Sequence, residues 1–346
     1  MTREQEQRHF IDSTDFSDAH MQPLGSDASF RRYVRVSKDG STAMLMDAPT
    51  DKEDTAPFIA VARHLHGAGY SVPALLASDV KAGFLLLEDI GDDSFTRLLK
   101  QEESVSETML YEAAVDVLVA WHDSEHGVAD TKKLPLPAYD EALLLREVEL
   151  FANWFLPQVM GKEKASSLYD EYMALWKNII GSASLSTNQF VHRDYHADNL
   201  MWLPERDGHK RVGILDFQDA VYGDAAYDLV SLLEDARRDV SAELAQKMIA
   251  RYVERAGVDE QQLYLAYALL GAQRNSKIVG IFTRLAARDG KQHYLDYLPR
   301  VWKHLEHDLS HPSLAELRGW LDKHVDTKWR GVISIMHDAT DLALTA

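Results

Sequence analysis

The chain contains no cysteine. Disulfides, thiolate catalysis and Cys-ligated zinc are thereby excluded. Positive charge is scarce as well: 37 Lys and Arg stand against 55 Asp and Glu, a formal net charge of −18. That balance argues against a nucleic-acid footprint and against adhesion to anionic membranes. No apolar run is long enough to span a bilayer, and the opening residues lack the apolar core of a secretory signal. The expectation is a cytoplasmic protein, a monomer with no nucleic-acid or membrane partner. Apolar residues are plentiful, 46% of 346, enough to bury the cores of two lobes.

Residues 1–21 read as a polar leader with some helical pattern. The run Pro23 to Ser29 is small and polar, hence a loop. Phe30 to Val36 alternates and is rich in aromatic and β-branched side chains, which predicts a strand. Thr42–Asp47, Ser71–Ser78 and Gly83–Asp89 predict three more, and Pro57–Ala68 a helix. Beyond Gly91 helical patterns dominate, at about 93–101, 105–122, 139–157, 163–181, 224–238, 241–256, 259–287, 290–308 and 312–324. A strand-rich island at 189–219 interrupts them. The fold class is therefore α+β. A small sheet-rich N-lobe covers 22–90, a mostly helical C-lobe covers 91–330, and a tail of mixed character covers 331–346. A ligand is expected between the lobes.

The island carries the chemistry. Phe190-Val191 leads into His192-Arg193-Asp194, and Asn199 follows five residues after Asp194. Leu200–Leu203 and Val212–Leu215 flank a polar turn, so a hairpin should bring Asn199 beside Asp216, with Asp194 in the loop ahead. Phosphoryl transfer asks for positioning and charge neutralisation rather than covalent help. Magnesium prefers oxygen ligands, and a carboxylate (Asp216) with a carboxamide (Asn199) suits it. Asp194, ionised at neutral pH, suits an acceptor hydroxyl whose proton must be taken up. His192 and His196 sit four apart, as zinc ligands can. But the segment is not helical, and Arg193 stands where a zinc protease carries glutamate. His192 is expected to hydrogen-bond backbone, Asp228 to brace or cap, and Trp121-His122 to be core.

His192-Arg193-Asp194 with Asn199 resembles the catalytic loop of protein-kinase-like enzymes, and Asp216-Phe217 their metal-binding motif. The form His-x-Asp-x-His-x-x-Asn, with Gly223-Asp224-Ala225-Ala226-Tyr227-Asp228-Leu229 after it, is similar to the aminoglycoside phosphotransferase family. The resemblance covers about 22–320. It implies a protein-kinase-like bilobal fold, ATP and Mg2+ as cofactors, and a small-molecule hydroxyl as acceptor. It makes Asp194 catalytic, Asn199 and Asp216 metal ligands, and Glu88, Ile90 and their neighbours up to Gly91 the backbone contacts of the adenine.

The match departs from the family at the phosphates. The loop Leu24 to Phe30 has a single glycine, Gly25, so its amides and the Ser26 and Ser29 hydroxyls are left to cradle phosphate. The strand Ala43–Pro49 lacks the usual lysine, with Met46 near its position. Arg31 and Arg32 are the nearest replacements, and alternation turns only one of them toward the ligand. Gly25 to Tyr33, Met46-Asp47-Ala48-Pro49 and Leu87-Glu88-Asp89-Ile90-Gly91 resemble the branch that phosphorylates the anomeric hydroxyl of N-acetylmuramate and N-acetylglucosamine in cell-wall recycling, a small-molecule sugar substrate. Between Leu263 and Arg300, Arg274, Lys277, Arg284, Arg288, Lys291 and Arg300 face only Asp289 and Asp296, an excess that favours an anionic or neutral ligand over a polycation. Gln273, Arg274 and Lys277 share a helix face by spacing and, with Glu147 and His196, are the candidate substrate contacts. Tyr139 and Trp154 flank Glu147 on the same expected helix. Another hydroxyl acceptor, an aminoglycoside or amino alcohol, and a nucleotide- or sugar-sensing pseudokinase are the alternatives.

Overall fold

A computed structural model describes residues 1–25, 30–101, 105–123 and 134–335. Ser26 and Ser29, and the tail from 336 on, lie outside the described residues. The elements run α1 (Arg3–Asp12), β1 (His20–Pro23), β2 (Arg32–Lys38), β3 (Ser41–Asp47), α2 (Ala56–Gly67), β4 (Leu75–Asp79), β5 (Phe84–Glu88), α3 (Phe95–Gln101) and α4 (Glu107–Trp121). Then come α5 (Glu141–Leu150), α6 (Leu156–Met160), α7 (Lys162–Ser182), β6 (Gln189–Val191), β7 (Leu200–Trp202), β8 (Val212–Ile214) and β9 (Val221–Gly223). Five helices follow: α8 (Ala226–Leu233), α9 (Ala242–Ala256), α10 (Glu260–Asp289), α11 (Leu298–Asp308) and α12 (Ala315–His324). The chain divides into two compact units. The first holds Met1–Leu136 and His192–Ala220, the second Pro137–Val191 and everything from Val221 on.

The first unit is built on an antiparallel sheet in the order β1-β2-β3-β5-β4. The polar leader is more than a leader. Thr2 and Gln5 close a capping box that starts α1, and its few apolar residues, Phe10 and Ile11, enter the core with Val34, Val36, Leu45, Phe84 and Leu86. Gln7 donates to buried Asp47 at 2.7 Å, and Arg3 Nε does so at 2.9 Å. The strand expected from Phe30 begins at Arg32, and Phe30 is exposed. The β7–β8 hairpin is tied into this unit on two sides. Ile214 N–H donates to Ser71 O at 2.8 Å and Trp202 N–H to Asp93 O at 2.8 Å. Gly213 lets the hairpin pack closely, because a Cβ would stand 3.0 Å from Met201 Cβ and 3.1 Å from Ile90 Cδ1 and those side chains would have to give way.

The second unit is helical. The helix expected over 139–157 is interrupted by a π-helical turn at Phe151–Phe155, a feature that widens a helix locally. Long α10 packs on it through Gly280, where a Cβ would fall 2.4 Å from the Leu150 carbonyl carbon. β6 and β9 pair from Gln189↔Gly223 to Val191↔Val221.

Candidate active site

The loop from His192 to Asn199 is fixed from below by aromatic packing. His192 is fully buried, with its ring stacked on Trp121 at 6.4 Å. Tyr195 donates to Ala114 O at 2.9 Å, which pins the loop to α4. His192 Nε2 lies 2.9 Å from Leu215 O, and Nδ1 accepts the Asp194 N–H at 3.2 Å. Only the neutral Nε2–H tautomer satisfies both contacts, and burial holds its pKa below the usual value against the pull of Asp194 and Asp216. With Nε2 donating and Nδ1 accepting, His192 has no lone pair left for zinc. It is a brace hydrogen-bonded to backbone, as expected, rather than the zinc ligand that its spacing from His196 allowed.

The brace sets three oxygen-bearing side chains. Asp194 is held on both sides of its backbone: its N–H donates to His192 Nδ1, and its carbonyl accepts from Asn199 Nδ2 at 2.9 Å and from the His196 N–H at 3.1 Å. With its amide nitrogen so occupied, Asn199 presents Oδ1 as its free end. Hairpin register puts Leu200 opposite Ile214, and Leu215 N–H donates to Asn199 O at 2.9 Å, so Asp216 emerges next to Asn199. Arg193 and Asp216 both adopt left-handed backbone, φ 77 and 60. That conformation costs a non-glycine residue on the order of 1 kcal/mol and collects at functional sites. Gln218 Nε2 ties Asp216 Oδ1 at 2.9 Å, while Phe217 is buried against Phe58, ring to ring at 4.8 Å.

The two arginine candidates separate cleanly. Tyr33 is paired with Met46 across β2–β3, and its hydroxyl touches Met46 Sδ at 3.6 Å. Arg31, one residue ahead of β2, hydrogen-bonds the Tyr33 side chain, which places it on the side of Met46 and of the missing lysine. Burial pushes the Tyr33 hydroxyl's pKa up while the adjacent Arg31 pulls it down. The Arg31 guanidinium stands 3.6 Å from Asp216 Oδ1 and 3.6 Å from Glu53 Oε2. Arg32 is exposed and makes neither contact. Glu53 escaped the sequence reading because Asp51 to Asp54 looks like a solvated charge run. Of the remaining nucleotide candidates, Glu88 is engaged by Arg206 at 2.6 Å and its N–H by Ala74 O at 2.8 Å. Gly25 has open space where a Cβ would stand, and Ile90 packs over Gly213.

Within the second unit, three of the substrate candidates meet. Glu147 accepts from Lys277 at 3.2 Å, from Gln273 Nε2 at 3.1 Å, and from the Tyr139 hydroxyl. Lys277 also reaches the Tyr227 hydroxyl at 3.0 Å. Gln273 Oε1 is buried without a hydrogen-bond partner among the described residues. Arg274 is not in this group. One residue round the helix, it donates to Glu234 O at 3.2 Å and Ser231 Oγ at 3.1 Å, so the shared face inferred from spacing holds for Gln273 and Lys277 only. His196 lies in the first unit, buried, with its carbonyl accepting from Asn199 N–H. Two of the six basic residues of 263–300 find acids outside that stretch, Lys277 at Glu147 and Arg300 at Asp239 at 2.8 Å, and Arg288 pairs with its neighbour Asp289 at 2.6 Å. Trp154 is half-buried in the π-helical turn.

Comparison with known proteins places this geometry. The model of a phosphotransferase enzyme family, APH, matches residues 20–265. An N-acetylmuramate/N-acetylglucosamine kinase of Caulobacter vibrioides is 37% identical over 95% of this chain and 98% of its own length. The protein of the same name from Pseudomonas aeruginosa is 39% identical over 86% of this chain and 87% of its own. The crystal structure of ADP-bound aminoglycoside phosphotransferase APH(2'')-Ib superposes with a TM-score of 0.57 at 17% identity, covering 89% of this chain and 97% of that one. The fold is protein-kinase-like.

Proposed function

Because the chain belongs to the phosphotransferase enzyme family, we propose that it is the kinase that moves the γ-phosphoryl group of ATP to the anomeric hydroxyl of N-acetylmuramate or N-acetylglucosamine, giving the sugar 1-phosphate during cell-wall recycling. The full-length similarity to amino-sugar kinases supports the acceptor. The observation that carries the chemistry is the hairpin that sets Asp194, Asn199 and Asp216 together. Asp194 accepts the hydroxyl proton as that oxygen bonds to phosphorus, and the bond from phosphorus to the β-phosphate oxygen breaks to leave ADP. Two hard oxygens fit Mg2+: Asn199 Oδ1, whose amide nitrogen is tied back, and Asp216 Oδ2, which has no donor among the described residues. Bound there, the ion would neutralise charge on the phosphates. Arg31 takes the place of the absent strand lysine, and the backbone from Glu88 to Gly91 meets the adenine. His196, in the unit of Asp194, is the candidate contact beside the acceptor; Glu147, Gln273 and Lys277 are a separate hydrogen-bonded group of the second unit. ATP as donor sets the reaction in the cytoplasm, and among the described residues no helix is long and apolar enough to cross a membrane. We take the working form to be a monomer.

The test is phosphorus NMR of the product after incubation with ATP and, separately, N-acetylmuramate, N-acetylglucosamine, an aminoglycoside and choline. A phosphorus signal coupled to the anomeric proton is expected with the amino sugars. Phosphate on the antibiotic or the amino alcohol, and none on the sugars, would sink the assignment.

A further inference from the structure

Most arginines of the first unit are locked by directed hydrogen bonds. Arg35 Nη2 donates to Asp92 Oδ1 at 2.8 Å and Arg206 Nη2 to Glu88 Oε1 at 2.6 Å. Arg31 is different. Its side chain is only 11% exposed, yet both of its ion pairs, to Asp216 and to Glu53, are 3.6 Å long. Its Nε, like that of Arg35, is buried with no hydrogen-bond partner among the described residues, but Arg31 lacks the short carboxylate bonds that Arg35 makes. A guanidinium has five donors in a rigid fork suited to bidentate binding of carboxylate or phosphate; here a hydrogen bond joins it to the Tyr33 side chain, and its two carboxylate neighbours hold it only at ion-pair distance. The two carboxylates are unequal. The Glu53 side chain is 21% exposed and that of Asp216 46%. Glu53 is anchored through its own N–H to Pro49 O at 2.9 Å, just ahead of α2.

We propose that Arg31 is a resident counter-cation that Asp216 gives up and Glu53 keeps. Without nucleotide, Arg31 neutralises Asp216 and competes with a divalent cation for it. When the nucleotide arrives, Arg31 releases Asp216 and turns its free donors to phosphate oxygens. Glu53, a positioning residue, retains the guanidinium in reach. The inference rests on the reading of Asp216 as a metal ligand, and its tests separate the two.

The full chain without nucleotide is titrated with Mn2+, free ion being read by electron paramagnetic resonance. ADP binding without metal is measured by calorimetry. Arg31→Ala should tighten Mn2+ binding about threefold or more, the size of a partly exposed ion pair, while weakening metal-free ADP binding. Glu53→Gln should do the reverse to the metal, loosening Mn2+ because Arg31 then serves Asp216 alone, and Glu53→Asp should restore it. A merely structural role for Glu53 would not invert the sign. Asp216→Asn should abolish the Mn2+ site. Should Arg31→Ala not fold, the Glu53 pair of variants carries the test by itself. Unchanged Mn2+ affinity in Arg31→Ala or Glu53→Gln, with the site lost in Asp216→Asn, overturns the counter-cation. Retained Mn2+ binding in Asp216→Asn overturns the metal assignment beneath it.

Discussion

Two arginines, one in each unit, have similar burial and opposite surroundings. Arg31 lies near two carboxylates and hydrogen-bonds neither, at 3.6 Å from each. Arg274, 4% exposed, donates to a carbonyl and a hydroxyl and helps neutralise a buried acidic pair. In that pair Asn275 Nδ2 bridges Glu234 Oε2 at 2.7 Å and Asp308 Oδ2 at 2.9 Å. The carboxylates differ likewise: the Asp216 side chain is 46% exposed, whereas Glu234 and Asp308 are 3% and 2% exposed. The difference teaches how to tell machinery from scaffold. Arg31 and Asp216 keep long ion-pair distances and some water, whereas Arg274 directs its donors to Glu234 O and Ser231 Oγ away from solvent.

The sharpest test of that division is Asp194→Ala. If Asp194 belongs to the machinery, turnover should fall by up to about 10⁴-fold, the equivalent of about 5 kcal/mol in the barrier. ADP affinity and the urea midpoint should stay at wild-type values. A stability loss that tracks the activity loss would mean Asp194 is scaffold.

Arg274→Met asks the converse. Its loss removes a nearby positive charge from the acidic pair and leaves the Glu234 carbonyl and Ser231 hydroxyl without their donor, which costs about 1–3 kcal/mol. The urea midpoint should drop accordingly, with KM for ATP unchanged in the folded fraction. Arg31→Ala, by contrast, should cost less than about 1 kcal/mol of stability. If the two variants lost stability equally, the comparison between the regions would collapse.

The geometry of the proposed machinery was the more legible part of the molecule. Asp194, Asn199 and Asp216 lie within one hairpin, so local pattern was enough to predict their meeting. Arg31 and Arg32 could not be ranked until strand register set Tyr33 against Met46. Glu53 and the Arg274 cluster were hidden for a tertiary reason. A charge run, or a count of basic residues along 263–300, says nothing of partners at Glu147, Glu234 and Asp239 far away in sequence. α1 was underread because two apolar side chains, Phe10 and Ile11, anchor an otherwise polar segment.

The smallest predicted effect concerns the shared proton of the scaffold pair. Glu234 and Asp308 are hydrogen-bonded side chain to side chain, and Asp308 Oδ1 is buried with no donor among the described residues, so a proton shared by the two carboxyl groups is expected. Burial, reinforced by the Glu234 charge, raises the Asp308 pKa well above its ordinary value, with Asn275 and Arg274 opposing. Glu234 is raised too, by burial, against Asn275, Asp308, Tyr267 and Arg274. An acid whose folded pKa exceeds its unfolded one binds the extra proton only when folded. Its contribution is thus complete below the unfolded value of 3.8 and drains away as pH rises toward the folded value. Asp308→Asn replaces the shared proton with an amide N–H that donates to Glu234 and cannot titrate. Its cost at acidic pH should be less than about 1 kcal/mol, and the fall in stability on raising pH should become shallower than in the wild type. Urea melts across the pH range measure both. An unchanged pH slope would mean the proton is not shared there, and would move this pair from scaffold to a role still to be found.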